Sequence, residues 1–204
     1  GSEMCIRDSP KINNIKVGPY NDETSDMGPV VSKGAYERIN GLIESGVQEG
    51  ANLIVDRRNI KIQPYENGYF IGPCLFDNVK DNMKIYREEI FGPVLSIVRA
   101  KNYEEGLQLV KDNPYGNGCS IFTRDGDTAR NFSSEANIGM VGVNIPIPVP
   151  VAYFSFGGWK NSIFGGHNAY GMEAIRFYTH TKTITSKWPE GIRSGAQFTM
   201  PTLG

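Results

Sequence analysis

Apolar and polar positions change period several times along the chain, and each change marks an element. Behind a Gly/Pro/Asn/Asp-rich stretch at 18–29, Tyr36, Ile39, Leu42 and Ile43 fall at i, i+3, i+6 and i+7, forming one stripe of a helix. Ser32 stands where an N-cap belongs, so the helix is predicted to run from Ser32 to about Gly46. Gly50 closes that segment, and Leu53-Ile54-Val55 reads as a short strand. Strand and helix then alternate: strand 94–98, helix 102–112 with Tyr103, Leu107 and Val110 inward, strand 119–123, helix 127–136, strand 140–144. The stretch from Asn113 to Gly118 and the turn Arg124-Asp125-Gly126 punctuate the series. This rhythm predicts an α/β fold in which βαβ units build a mostly parallel sheet with flanking helices.

After Asn144 the rhythm breaks. Ile145-Pro146-Ile147-Pro148-Val149-Pro150 has prolines at alternate positions and too few N–H donors for a central strand. From there to His167 runs a loop carrying Tyr153, Phe154, Phe156, Trp159 and Phe164. A long aromatic loop at the end of an α/β strand is read as a binding loop, with a packing plug as the alternative. A helix at 170–179 follows, then Thr181-Lys182-Thr183-Ile184-Thr185-Ser186-Lys187-Trp188, whose β-branched alternation predicts a strand. Near the terminus it reads as an edge strand that pairs with another subunit, or as the last strand of its own sheet. Residues 1–10 read as a leader that begins with a Gly-Ser cloning scar, and 189–204 as an irregular tail.

Composition narrows the function classes. The chain has 204 residues, 39% of them hydrophobic and 11% aromatic, enough for a folded domain with its own core. A net charge of −1 argues against nucleic acid or an anionic membrane as the main partner. No apolar run approaches the ~20 residues of a transmembrane helix. Cys5, Cys74 and Cys119 are an odd number without a CxxC pair, and only His167 and His180 accompany them, which argues for a reducing compartment and against a zinc site. Cys74, inside the apolar run 69–76, and Cys119, opening a strand, are both read as buried structural thiols.

The most informative stretch is Glu88-Glu89-Ile90-Phe91-Gly92-Pro93, a pair of carboxylates, an apolar pair and a Gly-Pro turn ahead of strand 94–98. A carboxylate presented there can accept hydrogen bonds from the vicinal hydroxyls of a ribose, and a neighbouring ring can cover a flat heterocycle. Read alone, the pattern also suits a helix end leading into a buried strand, and by itself favours that reading.

In the company of Asn113-Pro114-Tyr115-Gly116, Val143-Asn144, Phe156-Gly157-Gly158-Trp159-Lys160-Asn161-Ser162 and Lys182-Thr183-Ile184-Thr185, the hexapeptide makes the chain resemble the aldehyde dehydrogenase superfamily over nearly its whole length, from Lys11 to Trp188. Within it, Tyr65-Glu66-Asn67-Gly68, Pro114 to Gly118, the proline run 145–150, Phe177-Tyr178-Thr179 and Met200-Pro201-Thr202 are most similar to the CoA-acylating methylmalonate-semialdehyde dehydrogenase subgroup. Gly166 departs from the pattern, since related sequences commonly carry Asp there.

The resemblance implies roles. Glu89 would bind the nicotinamide-side ribose of NAD, Phe91 would pack by the nicotinamide, Phe156 would line the substrate tunnel, and 181–188 would be the oligomerisation strand of a homo-oligomer. The implied reaction oxidises malonate or methylmalonate semialdehyde with NAD, through a cysteine thioester that coenzyme A intercepts. The implied compartment is the cytoplasm of a bacterium or the mitochondrial matrix of a eukaryote. The catalytic cysteine and the Gly-rich dinucleotide fold are expected upstream of this chain, so no catalytic residue is assigned within it and the isolated chain is expected to be inactive. A non-catalytic oligomerising or binding module, or a portion of another aldehyde dehydrogenase, remains the alternative.

Overall fold

The stripe at 36–43 becomes helix α1, Lys33–Gln48, in the computed structural model, which describes residues 10–186 and 188. Ser32 caps it as expected: its backbone is extended and its side-chain oxygen accepts a hydrogen bond from the Ala35 N–H at 3.2 Å. Ile39, Leu42 and Ile43 are buried, so the helix turns its apolar face to the core. The chain divides into two compact units, Gly1–Asn113 and Pro114–Gly204.

In the first unit, β1 (Asn52–Val55) pairs antiparallel with β2 (Cys74–Val79), and β2 pairs parallel with β3 (Val94–Val98). The central strand β2 was not predicted. Its residues Cys74, Leu75 and Phe76 are all within 1% of complete burial, and such a two-face-covered strand is continuously apolar rather than alternating. One core cluster joins Ile39, Leu42 and Ile43 of α1 to Cys74, Phe76 and Val79 of β2 and to Met83 and Ile85. A second cluster, Ile12, Val55, Leu75 and Ile97, holds the helical turn at 10–14 to the sheet. Arg57 ties that turn down by donating to the carbonyls of Ile12, Asn13 and Ile15. The parallel β2–β3 connection carries the short helix α2 (Lys84–Arg87) and then the hexapeptide 88–93.

Beyond β3 lies α3, Tyr103–Asp112, capped by Asn102 and acidic at Glu104 and Glu105 in its first turn, where the helix dipole favours negative charge. At the end of β2, Asp77 is the one buried charged or polar side chain among the described residues. Arg99 grips it with two donors, Nε at 2.8 Å and Nη2 at 2.5 Å.

Among its described residues the second unit has one βαβ element. The parallel strands β5 (Gly118–Ile121) and β6 (Met140–Val143) flank α4 (Gly126–Glu135), which Asp125 caps at 2.6 Å and which buries Phe132. Beside it, β4 (Tyr115–Gly116) pairs antiparallel with β7 (Trp159–Lys160). The last helix, α5, is Gly171–Tyr178.

The α/β architecture is therefore as expected, with two refinements. The described strands form three small sheets, in which two parallel pairs stand beside two antiparallel pairs rather than one mostly parallel sheet. The described residues of the expected strand, 181–186 and 188, make no ladder with any other described residue and are exposed. A strand exists only by its partner's backbone groups, and β-branched alternation cannot supply that partner. The proline run 145–150 forms no strand, as its missing donors require. The leader at 1–9, Lys187 and the tail 189–204 lie outside the described residues, while Pro10, taken as leader, opens the turn at 10–14.

Arg99→Met is expected to destabilise the first unit by about 2 kcal/mol, because it strips the buried Asp77 carboxylate of two charge-assisted hydrogen bonds. A lower urea midpoint at unchanged slope would show this, and an unchanged midpoint would count against it.

Candidate functional site

Residues 88–93 are held from behind and open in front. Arg38, on α1, donates from Nη1 to the Glu89 carbonyl at 3.0 Å and from Nη2 to the Ile90 carbonyl at 2.6 Å. Ile90 packs against the main core cluster. Gly92 rides on Ile39: a Cβ there would fall 2.7 to 3.0 Å from three atoms of that fully buried side chain, so only glycine lets the turn settle this low. Downstream, the Pro93 carbonyl accepts from the Cys74 N–H at 2.9 Å at the start of the β2–β3 pairing. With the main chain so fixed, the Glu89 side chain faces solvent and the Phe91 ring is 77% exposed.

Phe91 has φ = 50°, the left-handed region that an aromatic residue adopts only when its surroundings impose it. Such a conformation costs about 1–3 kcal/mol and concentrates at functional sites. A rigid turn thus presents an acceptor carboxylate and an open aromatic face two residues apart. Those are the parts needed to hold a sugar diol and cover a planar ring.

The second unit holds Phe156. It is half-buried and stacks on Tyr170, with centroids 4.6 Å apart and planes 10° from parallel. Ser155 fastens the same stretch to the start of α5: its hydroxyl donates to the Tyr170 carbonyl at 3.1 Å and accepts from the Glu173 N–H at 3.2 Å. Gly171, at φ = 60°, lets the chain pass close by, since a Cβ would lie 2.6 Å from the Ser155 nitrogen and 2.7 Å from main-chain atoms of Tyr153 and Phe154. His167 Nδ1 lies 2.7 Å from Glu173 Oε2, and Arg176 bonds the other carboxylate oxygen. The His167 contact, with Arg176 behind it, holds the Glu173 carboxyl below the usual glutamate range. The loop is thereby pinned through its backbone while Tyr153, Phe154 and Phe164 remain exposed.

Neither described thiol is poised as a nucleophile. Cys74 is buried in β2, and burial pushes its pKa up, with the neighbouring Asp56 carboxylate adding to the rise. Burial likewise raises Cys119, against a smaller opposing pull from Lys160. Cys74 is the buried thiol expected, whereas Cys119 is only half-buried. Cys5 lies outside the described residues. Among the described residues no group of three or more His, Cys, Asp and Glu is placed to hold a metal, and no helix is long and apolar enough to cross a membrane.

Glu89 and Phe91 are thus brought together on one turn of the first unit, and Phe156 is seated in the second. Three contributors had no sequence signal. Arg38 sits on the polar side of an ordinary amphipathic helix, and Ser155 and Gly171 matter only once the loop has folded against α5.

Comparison with known proteins identifies the family. The sequence profile of the Aldehyde dehydrogenase family matches residues 7–184. Over 195 residues the chain is 51% identical to the malonate-semialdehyde dehydrogenase of Pseudomonas aeruginosa, covering 95% of this chain and 39% of that protein. It is 47% identical to the human mitochondrial acylating methylmalonate-semialdehyde/malonate-semialdehyde dehydrogenase, covering 94% and 36%. A Sinorhizobium meliloti 1021 structure, assigned as a methylmalonate-semialdehyde dehydrogenase and complexed with NAD, superposes with a TM-score of 0.91 at 58% identity, covering 95% and 39%. The chain therefore spans about two fifths of the length of the proteins it matches.

Two outcomes test the loop. Gly171→Ala is expected to cost about 1–3 kcal/mol locally, seen as faster amide exchange at 153–156 with the first unit unaffected; unchanged exchange would refute the close-packing argument. Because the Glu173 pKa is depressed on folding, its contribution is present above the unfolded value and lost as pH falls through the folded one. The contacts of Glu173 with His167 and Arg176 should therefore persist at neutral pH and loosen only below about pH 4.3, the ordinary glutamate value. NMR titration of the Glu173 carboxyl carbon reads this directly, and a midpoint at or above the ordinary glutamate value would contradict it.

Proposed function

The chain belongs to the aldehyde dehydrogenase family, and we propose that it is the cofactor-ribose and tunnel-side portion of an NAD-dependent, CoA-acylating (methyl)malonate-semialdehyde dehydrogenase. The observation that carries this reading is the turn 88–93, where Glu89 and Phe91 are offered to solvent on a main chain clamped by Arg38 and Ile39. Subgroup likeness to the malonate- and methylmalonate-semialdehyde enzymes supports the substrate class.

The donor set fits the cofactor. An exposed carboxylate accepts from both hydroxyls of a ribose, and an exposed ring lies two residues away to bound the nicotinamide. When bound, NAD supplies hydride acceptance. The chain's own residues bind and orient: Glu89 fixes the sugar, Phe91 limits where the ring can lie, and Phe156, steadied by Tyr170, forms part of the substrate wall.

The remaining chemistry is assigned elsewhere. A thiolate nucleophile needs a lowered pKa, whereas Cys74 and Cys119 are both raised, so neither is the cysteine proposed to carry the acyl group to coenzyme A. The proposed assembly is a homo-oligomer in which 181–188 adds to a neighbouring subunit's sheet. Its compartment is the bacterial cytoplasm or the mitochondrial matrix.

Two measurements test the proposal. The isolated 204-residue chain, given NAD, CoA and malonate semialdehyde, is expected to form no acyl-CoA or NADH; robust turnover would overturn the division of labour. Grafted in place of the matching stretch of the Pseudomonas aeruginosa relative, the same chain is expected to support turnover. In that graft Glu89→Gln should raise the KM for NAD by about tenfold or more, the size of a lost charge-assisted hydrogen bond.

A further inference from the structure

We propose that Arg38 is a positioning residue for the cofactor site, acting through the main chain of Glu89 and Ile90. This rests on the reading of Glu89 as a ribose acceptor and extends it to a residue 51 positions upstream. One planar guanidinium spans two successive carbonyls, at 3.0 Å and 2.6 Å. Successive carbonyls of an extended chain diverge, so their convergence on one group requires the backbone to bend at Ile90, the residue between them, and the left-handed Phe91 at φ = 50° follows directly. Arginine suits the task because its donors form a rigid fork, whereas a lysine is a single point charge that cannot hold both oxygens in one plane.

The fork comes from a fixed base. Arg38 precedes Ile39, which is fully buried in the main cluster and lies directly under Gly92. One helical turn thus sets the depth of the hexapeptide through Ile39 and its azimuth through Arg38. The donors are spent on carbonyls, which leaves the Glu89 carboxylate turned to solvent for a ligand. Without the guanidinium, Ile90 and Gly92 would still anchor the turn, but residues 89–91 would sample several orientations. The loss would then fall on cofactor affinity rather than on the fold.

The test uses the grafted full-length dehydrogenase and the isolated chain. In the graft, Arg38→Met is expected to raise the KM for NAD by about tenfold with kcat changed less than about threefold, and Arg38→Lys to recover part of the loss. The double variant Arg38→Met/Glu89→Gln should be no worse than Glu89→Gln alone, because Arg38 acts through Glu89; fully multiplicative effects would overturn the inference. If Glu89→Gln leaves the KM unchanged, the ribose reading itself fails. If Glu89→Gln raises it and Arg38→Met does not, only the positioning role fails. In the isolated chain, Arg38→Met should speed amide exchange at 91 and 92 while α1 and β2 amides keep their protection. Unchanged exchange there would refute the clamp, even if the grafted variant failed to assemble.

Discussion

The burial of Ile39 and Ile43 against Phe76 is the contact on which the first unit depends. It binds α1 to the central strand, and the neighbouring residues on the same helical turn then act on the hexapeptide. Ile39 is both a core residue and the floor beneath Gly92, and Arg38, one position earlier, holds two carbonyls of the turn. A structural contact and a site-forming contact are thus one residue apart on a rigid element. Sites supported in this way keep their geometry because the supporting rotamers are locked by packing. The left-handed Phe91 follows from the same arrangement, its local cost offset by the anchors on either side.

The second unit is organised differently. Its described part has one βαβ element, and the aromatic loop is held by main-chain contacts, a serine hydroxyl and a histidine–glutamate–arginine cluster rather than by a core of its own. Among the described residues helix α5 buries none of its side chains: Met172, Ile175, Phe177 and Tyr178 are exposed, as are Ile145, Ile147 and Val149 of the proline run.

Elements with a clean period or a capping residue were legible. Helix α1 was expected from its stripe and Ser32, β3 at 94–98 coincides with its apolar run, and α3 and α4 begin beside Asn102 and Asp125. Strand β2 escaped because full burial on both faces erases alternation. The two-residue strands β4 and β7 escaped because they have no period at all. Residues 181–186 carry a strong strand pattern but pair with no described residue, the partner expected for them being another subunit.

What the sequence by itself determined was chemistry in order: a carboxylate two positions before a phenylalanine, a Gly-Pro turn, an aromatic loop, and motif spacing shared with a family. Those are local or linear properties, and they survive without coordinates. Tertiary structure decided which groups hold those residues in place. Arg38 reaches Glu89 and Ile90 across half a hundred residues, Ile39 sets the height of Gly92, and Tyr170 and Gly171 seat the stretch around Phe156. Each of these depends on a distance between segments remote in the chain, and no periodicity or propensity encodes such a distance.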